Sequence, residues 1–164
     1  MIVGERVRLR AIEAEDLPLL ARWRNDPQVY RCFFEHEPIS MEMQRRWYQR
    51  LLREEDREVW LLSWLPGQRT GFHDHGSSAG AFTVVQGCLR ERAAPGGRPQ
   101  VTGATLLSGS VRSFGPRYVH DVGNESAAPA VSVHAYSPPL TTMDRYDVSG
   151  RRLVRAAAET AGQW

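Results

Sequence analysis

From Pro66 to Asp147 the chain alternates short β-prone runs with turn residues, and that rhythm limits its fold more than any other feature. The runs are residues 80–86, 88–91, 101–107, 118–122 and 130–136, and Gly/Pro clusters at 95–99, 115–116 and 138–139 separate them. Several short strands at this spacing predict an all-β sandwich or barrel. Just upstream, Glu58-Val-Trp-Leu-Leu-Ser-Trp-Leu65 is apolar on both faces, as a strand covered on both sides would be, and Pro66-Gly67 ends it. A length of 164 residues suits one domain with one sizeable core.

The first third has another rhythm. Residues 5–10 alternate apolar and charged, which predicts a short half-exposed strand. Asp16 as a cap, Pro18 in the first turn, and Leu17, Leu20, Ala21 and Trp23 predict a helix that Asn25-Asp26-Pro27 stops. A second helix signal starts at Ser40, with Met43, Trp47 and Leu51 as its apolar stripe and Glu42, Arg45, Arg46 and Gln49 opposite. From Ser149 to Trp164 the chain is Ala-rich and weakly patterned, and reads as a tail.

Gly71-Phe-His-Asp-His-Gly76 is the stretch with chemistry in it. Strand side chains alternate, so His73 and His75 turn to one side and Asp74 to the other. Imidazole is the commonest side-chain ligand of transition metals. A bare His-x-His usually sits in an exposed loop, so the surroundings decide. Gly67, five residues, His73, one residue, His75 and later Gly87 form one spaced motif. Gly109, His120 and Asn124 form a second.

These two motifs, in this order, resemble those of the cupin family. The likeness implies a mainly β fold: a double-stranded β-helix (jelly-roll) barrel, here preceded by one or two helices, with a metal inside and His120 as third ligand. Where most cupins carry a ligating glutamate after the second histidine, this chain has Ala79 and Gly80. A shell of three neutral imidazoles leaves the charge of a divalent ion uncompensated, which favours an anionic chelating substrate such as a thiolate with a neighbouring amine.

Three-histidine cupins of this kind resemble the thiol dioxygenases, cysteine dioxygenase above all. Ser132-x-His134-x-Tyr136 puts three polar side chains on one strand face, and cysteine dioxygenases carry this array beside the iron, followed by Ser-Pro-Pro as in Ser137-Pro138-Pro139. The resemblance implies Fe(2+) held by His73, His75 and His120, with Tyr136, His134 and Ser132 as a hydrogen-bonded catalytic relay. It further implies that Arg50 grips the substrate carboxylate, for which a guanidinium fork is suited. Eukaryotic members cross-link a cysteine to the tyrosine; that position here is Gly80, so no cross-link is expected. Arg117 stands where cupins generally have glycine.

Residues 1–52 separately resemble the opening of GNAT-type N-acetyltransferases, through Gly4-Glu-Arg-Val-Arg-Leu-Arg10, Glu15 to Pro27 and the Pro38 to Tyr48 run. No later Gly-x-Gly/Ala loop offers backbone donors to a pyrophosphate, so acetyl-CoA has no evident seat. The segment is either a fused fragment or a helix pattern that both families share. The two likenesses disagree over residues 45–53. Periodicity favours a helix; carrying Arg50 to the barrel mouth favours a strand, and a strand from about Tyr48 is the expectation adopted.

The resulting expectation has a helical segment at 1–45, a barrel at 46–148 and a tail at 149–164. Its function is oxidation of L-cysteine with O2 to the sulfinic acid, with dioxygenation of 3-mercaptopropionate or mere binding by a non-catalytic cupin as alternatives. A net charge of +2 points to no nucleic-acid or membrane partner. All 21 basic residues are arginine, which excludes a Schiff-base lysine. Two scattered cysteines exclude a disulfide framework. With no leader-like or membrane-length apolar run, a cytoplasmic monomer or small homo-oligomer is expected.

Overall fold

The computed structural model describes residues 2–3, 8–27, 38–53, 56–94, 102–149 and 152–161. Its strands are β1 (Ile2–Val3), β2 (Arg8–Ala11), β3 (Glu58–Trp64), β4 (Phe72–His73), β5 (Ala79–Gln86), β6 (Cys88–Ala93), β7 (Thr102–Leu107), β8 (Val111–Phe114), β9 (His120–Gly123), β10 (Ala130–Ser137), β11 (Thr142–Ser149) and β12 (Arg152–Thr160). They form two six-stranded antiparallel sheets, β1-β2-β3-β10-β5-β8 and β12-β11-β4-β9-β6-β7. This is the double-stranded β-helix barrel, with helices α1 (Leu17–Arg24) and α2 (Met41–Leu51) preceding its main strands.

Strand periodicity explains the two-sided apolar run. Leu62 and Trp64 of β3 face inward and join Phe82, Val84, Leu89, Phe114, Val122 and Tyr136 in the barrel core. Leu61 faces outward, where Val59, Val131 and Val133 join it beneath Leu17, Leu20, Trp23 and Tyr48 of the helices. An eight-residue helix such as α1 does not persist alone. Burial of its apolar side chains on the sheet, roughly 1.5–3 kcal/mol apiece, holds it in place.

Several expectations needed correction. Asp16 does not cap α1 directly: a 3-10 turn at Ala14–Asp16 precedes the helix, and Asp16 accepts from the Glu13 backbone N–H at 2.9 Å in a reciprocal capping box. In α2, Ser40 does cap, accepting from the Met43 N–H at 3.2 Å. The buried face, however, is Gln44 and Tyr48; Met43 is 47% exposed, with Trp47 and Leu51 half-buried. Tyr48 wins the inward place because its hydroxyl also finds an acceptor, the Ile12 carbonyl.

The larger correction concerns residues 48–51, which are helix and not strand. Local periodicity decided here, with a capped start and a Glu42–Arg46 pair one turn apart. The tail is also structured. Residues 152–160 form β12, paired along its length with β11. Its side chains are largely exposed on both faces, so no alternation marks it in the sequence. The predicted strand at 5–10 is met in part by β2, while residues 5–7 lie outside the described residues. Among the described residues no helix is long and apolar enough to cross a membrane.

Candidate metal centre

His73 ends β4, which is wedged between β9 and β11, and it lies directly opposite His120 in the register. His75 follows two residues on, beyond the strand but on the same side. The three rings form a near-equilateral set, with centroids 4.9 Å (His73–His75), 4.9 Å (His73–His120) and 5.0 Å (His75–His120) apart. One donor nitrogen from each lies within 4.8 Å of the others, and all three residues are buried.

Hydrogen bonds orient two of the rings. His73 donates its Nδ1–H to the Gly71 carbonyl at 2.9 Å, and His120 donates its Nδ1–H to Glu91 Oε1 at 2.9 Å. Each is thereby held in the tautomer that leaves Nε2 as a lone-pair donor. Both ring nitrogens of His75 are buried without a hydrogen-bond partner, an expensive arrangement unless something else satisfies one of them. Burial, reinforced by the neighbouring histidines, holds His73 far below the ordinary imidazole range and His75 down at about 2. These two rings are therefore neutral, the form that binds metal. Three convergent imidazoles with an orphaned nitrogen among them fit a transition-metal ion.

Alternation puts the anchoring groups on the other face. Asp74 accepts from the N–H groups of Gly76 (3.0 Å) and Asp144 (3.2 Å) and from the Tyr146 hydroxyl (2.8 Å), tying the His-Asp-His stretch to β11. Burial, then the hydrogen bond to Asp74, pushes Tyr146 up to about 12. Asp121, beside His120, is clamped by Arg69 and Arg92 and accepts from the Gly71 N–H at 3.1 Å. Asn124, from the second motif, plays a structural part, donating to the carbonyls of Trp64 (3.2 Å) and Ala128 (2.8 Å).

Glu91 is the residue that sequence reasoning missed. It faces inward from β6 and receives Arg112 Nε at 2.9 Å as well as His120. Burial opposes its ionisation, but the hydrogen bonds and charges of His120 and Arg112 outweigh this and hold its carboxyl below the usual range. The inner set is three imidazoles, yet a carboxylate stands one hydrogen bond behind it. The signal was available: Glu91 is in phase with Leu89 and Ala93, a charge on the apolar face of an alternating strand.

The inward face of β10 carries Ser132, His134 and Tyr136, all buried. Ser132 Oγ lies 2.8 Å from His134 Nε2, and Tyr136 Oη lies 3.4 Å from His134 Nδ1. His134 stacks on Phe82, centroids 4.7 Å apart, and burial lowers it to about 3. Tyr136 lies beside His75 at 5.2 Å, and burial, then the Glu58 charge, raises its phenol well above normal. The structure thus brings six of the seven predicted site residues into one buried cluster.

Arg50 is the seventh, and it is elsewhere. It lies on the exposed last turn of α2 and lines a surface hollow with Ala14, Leu17, Arg46 and Arg53, a set containing none of the histidines. The strand that was to deliver it inward is a helix. Arg117 adopts φ 61, the left-handed backbone where glycine carries no Cβ penalty, so the approach to His120 keeps a glycine-type turn.

Gly80 lies opposite both Tyr136 and Phe114 in the register. A Cβ there would fall 2.5 Å from Phe114 and 3.0 Å from Tyr136. Phe114 stacks on His75 at 4.6 Å, so the added atom would press on the metal site itself. Gly80→Ala is expected to destabilise the protein by about 1–3 kcal/mol through overpacking. A thermal melt of the variant checks this, and an unchanged Tm would mean that Phe114 yields freely.

A sequence model of the family described as cysteine dioxygenase type I matches residues 2–149. The match includes residues 2–52, for which an acetyltransferase-like opening was the alternative expectation. Among solved structures, a Thermus thermophilus protein is 27% identical over 52% of this chain and 75% of its own, with a TM-score of 0.46. A conserved protein with a double-stranded beta-helix domain from Klebsiella pneumoniae is 20% identical over 63% of this chain and 77% of its own, with a TM-score of 0.46. Oxalate decarboxylase from Lactobacillus farciminis is 16% identical over 52% of this chain and 25% of its own, with a TM-score of 0.48.

Proposed function

The chain belongs to the cysteine dioxygenase type I family, and from that premise we propose that it is a mononuclear iron dioxygenase of small thiols, acting on L-cysteine. The reaction is RSH + O2 → RSO2H, with both oxygen atoms ending on sulfur. The observation that carries the reading is the buried, converging triad of His73, His75 and His120. These residues would hold Fe(2+), which supplies the redox chemistry that joins O2 to the thiol.

The chain's own residues do the rest. Glu91 and the Gly71 carbonyl keep His120 and His73 turned inward. Phe82, Phe114 and Tyr118 wall the site with rings and exclude water. Tyr136 is a neutral phenol beside His75, placed to hydrogen-bond a substrate or oxygen species.

The test is thiol-dependent O2 uptake by the iron-loaded protein, with L-cysteine and 3-mercaptopropionate compared. Preferred turnover of cysteine supports the proposal. Faster turnover of 3-mercaptopropionate would reassign the substrate, and no uptake with either would leave a binding cupin. Because Arg50 faces solvent, Arg50→Ala is expected to leave KM for cysteine within about twofold. A charge-assisted hydrogen bond to the carboxylate is worth about 1.5–3 kcal/mol, so a rise of about tenfold or more would return Arg50 to the substrate.

A further inference from the structure

The polar array on β10 does not end at Ser132. Trp64, on the neighbouring strand β3 and 1% exposed, donates its indole Nε1–H to Ser132 Oγ at 2.9 Å. An indole is a donor and never an acceptor, so this link gives the chain a direction. Among the described residues, the side-chain partners of Ser132 Oγ are Trp64 and His134.

Two arrangements are open to the neutral His134. In the first, Ser132 accepts from Trp64 and donates to His134 Nε2; His134 then carries its proton on Nδ1 and gives it to the Tyr136 oxygen. In the second, His134 Nε2–H and Trp64 both donate to Ser132, whose own proton is left buried without an acceptor. Each arrangement leaves one hydroxyl proton without a protein acceptor, that of Tyr136 in the first and that of Ser132 in the second. A buried unsatisfied hydroxyl costs about 1–3 kcal/mol, and Ser132 is wholly enclosed at 0% exposure, whereas Tyr136, at 9%, stands beside His75 where a substrate or water can accept its proton, which favours the first. Accepting from the indole also polarises the Ser132 hydroxyl and strengthens it as a donor, because hydrogen bonds running head to tail reinforce one another.

We infer that Trp64 is a positioning residue that sets the polarity of a four-member relay, Trp64→Ser132→His134→Tyr136, and leaves the Tyr136 proton free to be donated beside His75. The consequence for chemistry rests on the thiol dioxygenase reading; the polarity itself does not. In that reading Tyr136 meets the substrate as a hydrogen-bond donor, with its oxygen already engaged by His134.

Nitrogen-15 NMR of the full chain, recorded after chelation and again with zinc as a diamagnetic ion, reports which ring nitrogen of His134 bears the proton. The expected result is a pyrrole-type Nδ1 and a pyridine-type Nε2; the reverse would overturn the inference. Trp64→Phe removes the donor and keeps a ring. It is expected to mix the two tautomers and lower kcat about fivefold, the size of one neutral hydrogen bond, with iron content and KM unchanged. If that variant does not fold, benzothienylalanine at position 64 keeps the indole shape without the N–H and carries the same test. A single Nδ1–H tautomer and wild-type kcat in the variant would reduce Trp64 to packing. An Nδ1–H tautomer in a protein that takes up no O2 with any thiol would leave the relay standing and remove the dioxygenase reading.

Discussion

His120→Ala is expected to abolish stoichiometric iron binding. Three imidazoles are the entire inner set that the described residues offer, and no carboxylate joins them. Removing one leaves two ligands from a single short stretch, His73 and His75. It also removes the ring on the neighbouring strand β9, paired with His73 and supported by Glu91. The hole would be lined by Phe82 and Phe114, rings that cannot coordinate, and by Tyr118, whose hydroxyl is turned to Glu91. Metal analysis of the purified variant against wild type decides the matter. Retention of about one iron per chain would sink the ligand assignment.

Glu91→Gln is expected to weaken metal binding roughly 10–100-fold while leaving the fold intact, the usual effect of losing an outer-shell partner of a ligating histidine. Glutamine keeps the volume, and its carbonyl can still accept from His120 Nδ1. The negative charge that raises the basicity of Nε2 is lost, and Arg112 then faces a neutral amide across 2.9 Å. Competition with a chelator of graded strength measures the shift. Affinity within about twofold of wild type would mean that Glu91 serves only to satisfy Arg112 and Tyr118. The two variants separate the roles: one removes a ligand, the other removes what steers it.

Much of this site was legible in the chain alone, and the reason is local geometry. His73 and His75 are two residues apart, as are Ser132, His134 and Tyr136 in turn. Strand alternation therefore fixes which side chains share a face before any tertiary contact exists. The turn glycines behave in the same way. Gly87, between β5 and β6, has φ +79, and a Cβ there would fall 2.8 Å from the Pro129 carbonyl. The two-sided apolar pattern of β3 likewise announced its two neighbours, the barrel core and the helices.

The two failures have different causes. Arg50 was placed on a strand because a function needed it there, although the period of Ser40 to Leu51 is helical; the local signal was correct. β12 went unread because a strand exposed on both faces has no alternation to read, and pairing with β11 is what holds it.

The amino-acid sequence by itself determined the strand rhythm, the shared side of His73 and His75 and the polar face of β10, since each depends on spacing within one segment, whereas His120 joins the two histidines because β9 pairs with β4. Only the tertiary structure decided what stands behind them. Glu91 reaches His120 because β6 pairs with β9, and Trp64 reaches Ser132 because β3 pairs with β10. Those pairings join residues 29 and 68 positions apart in the chain. Closing loops of that length depends on the fold's whole balance of burial and chain entropy, which no local period encodes.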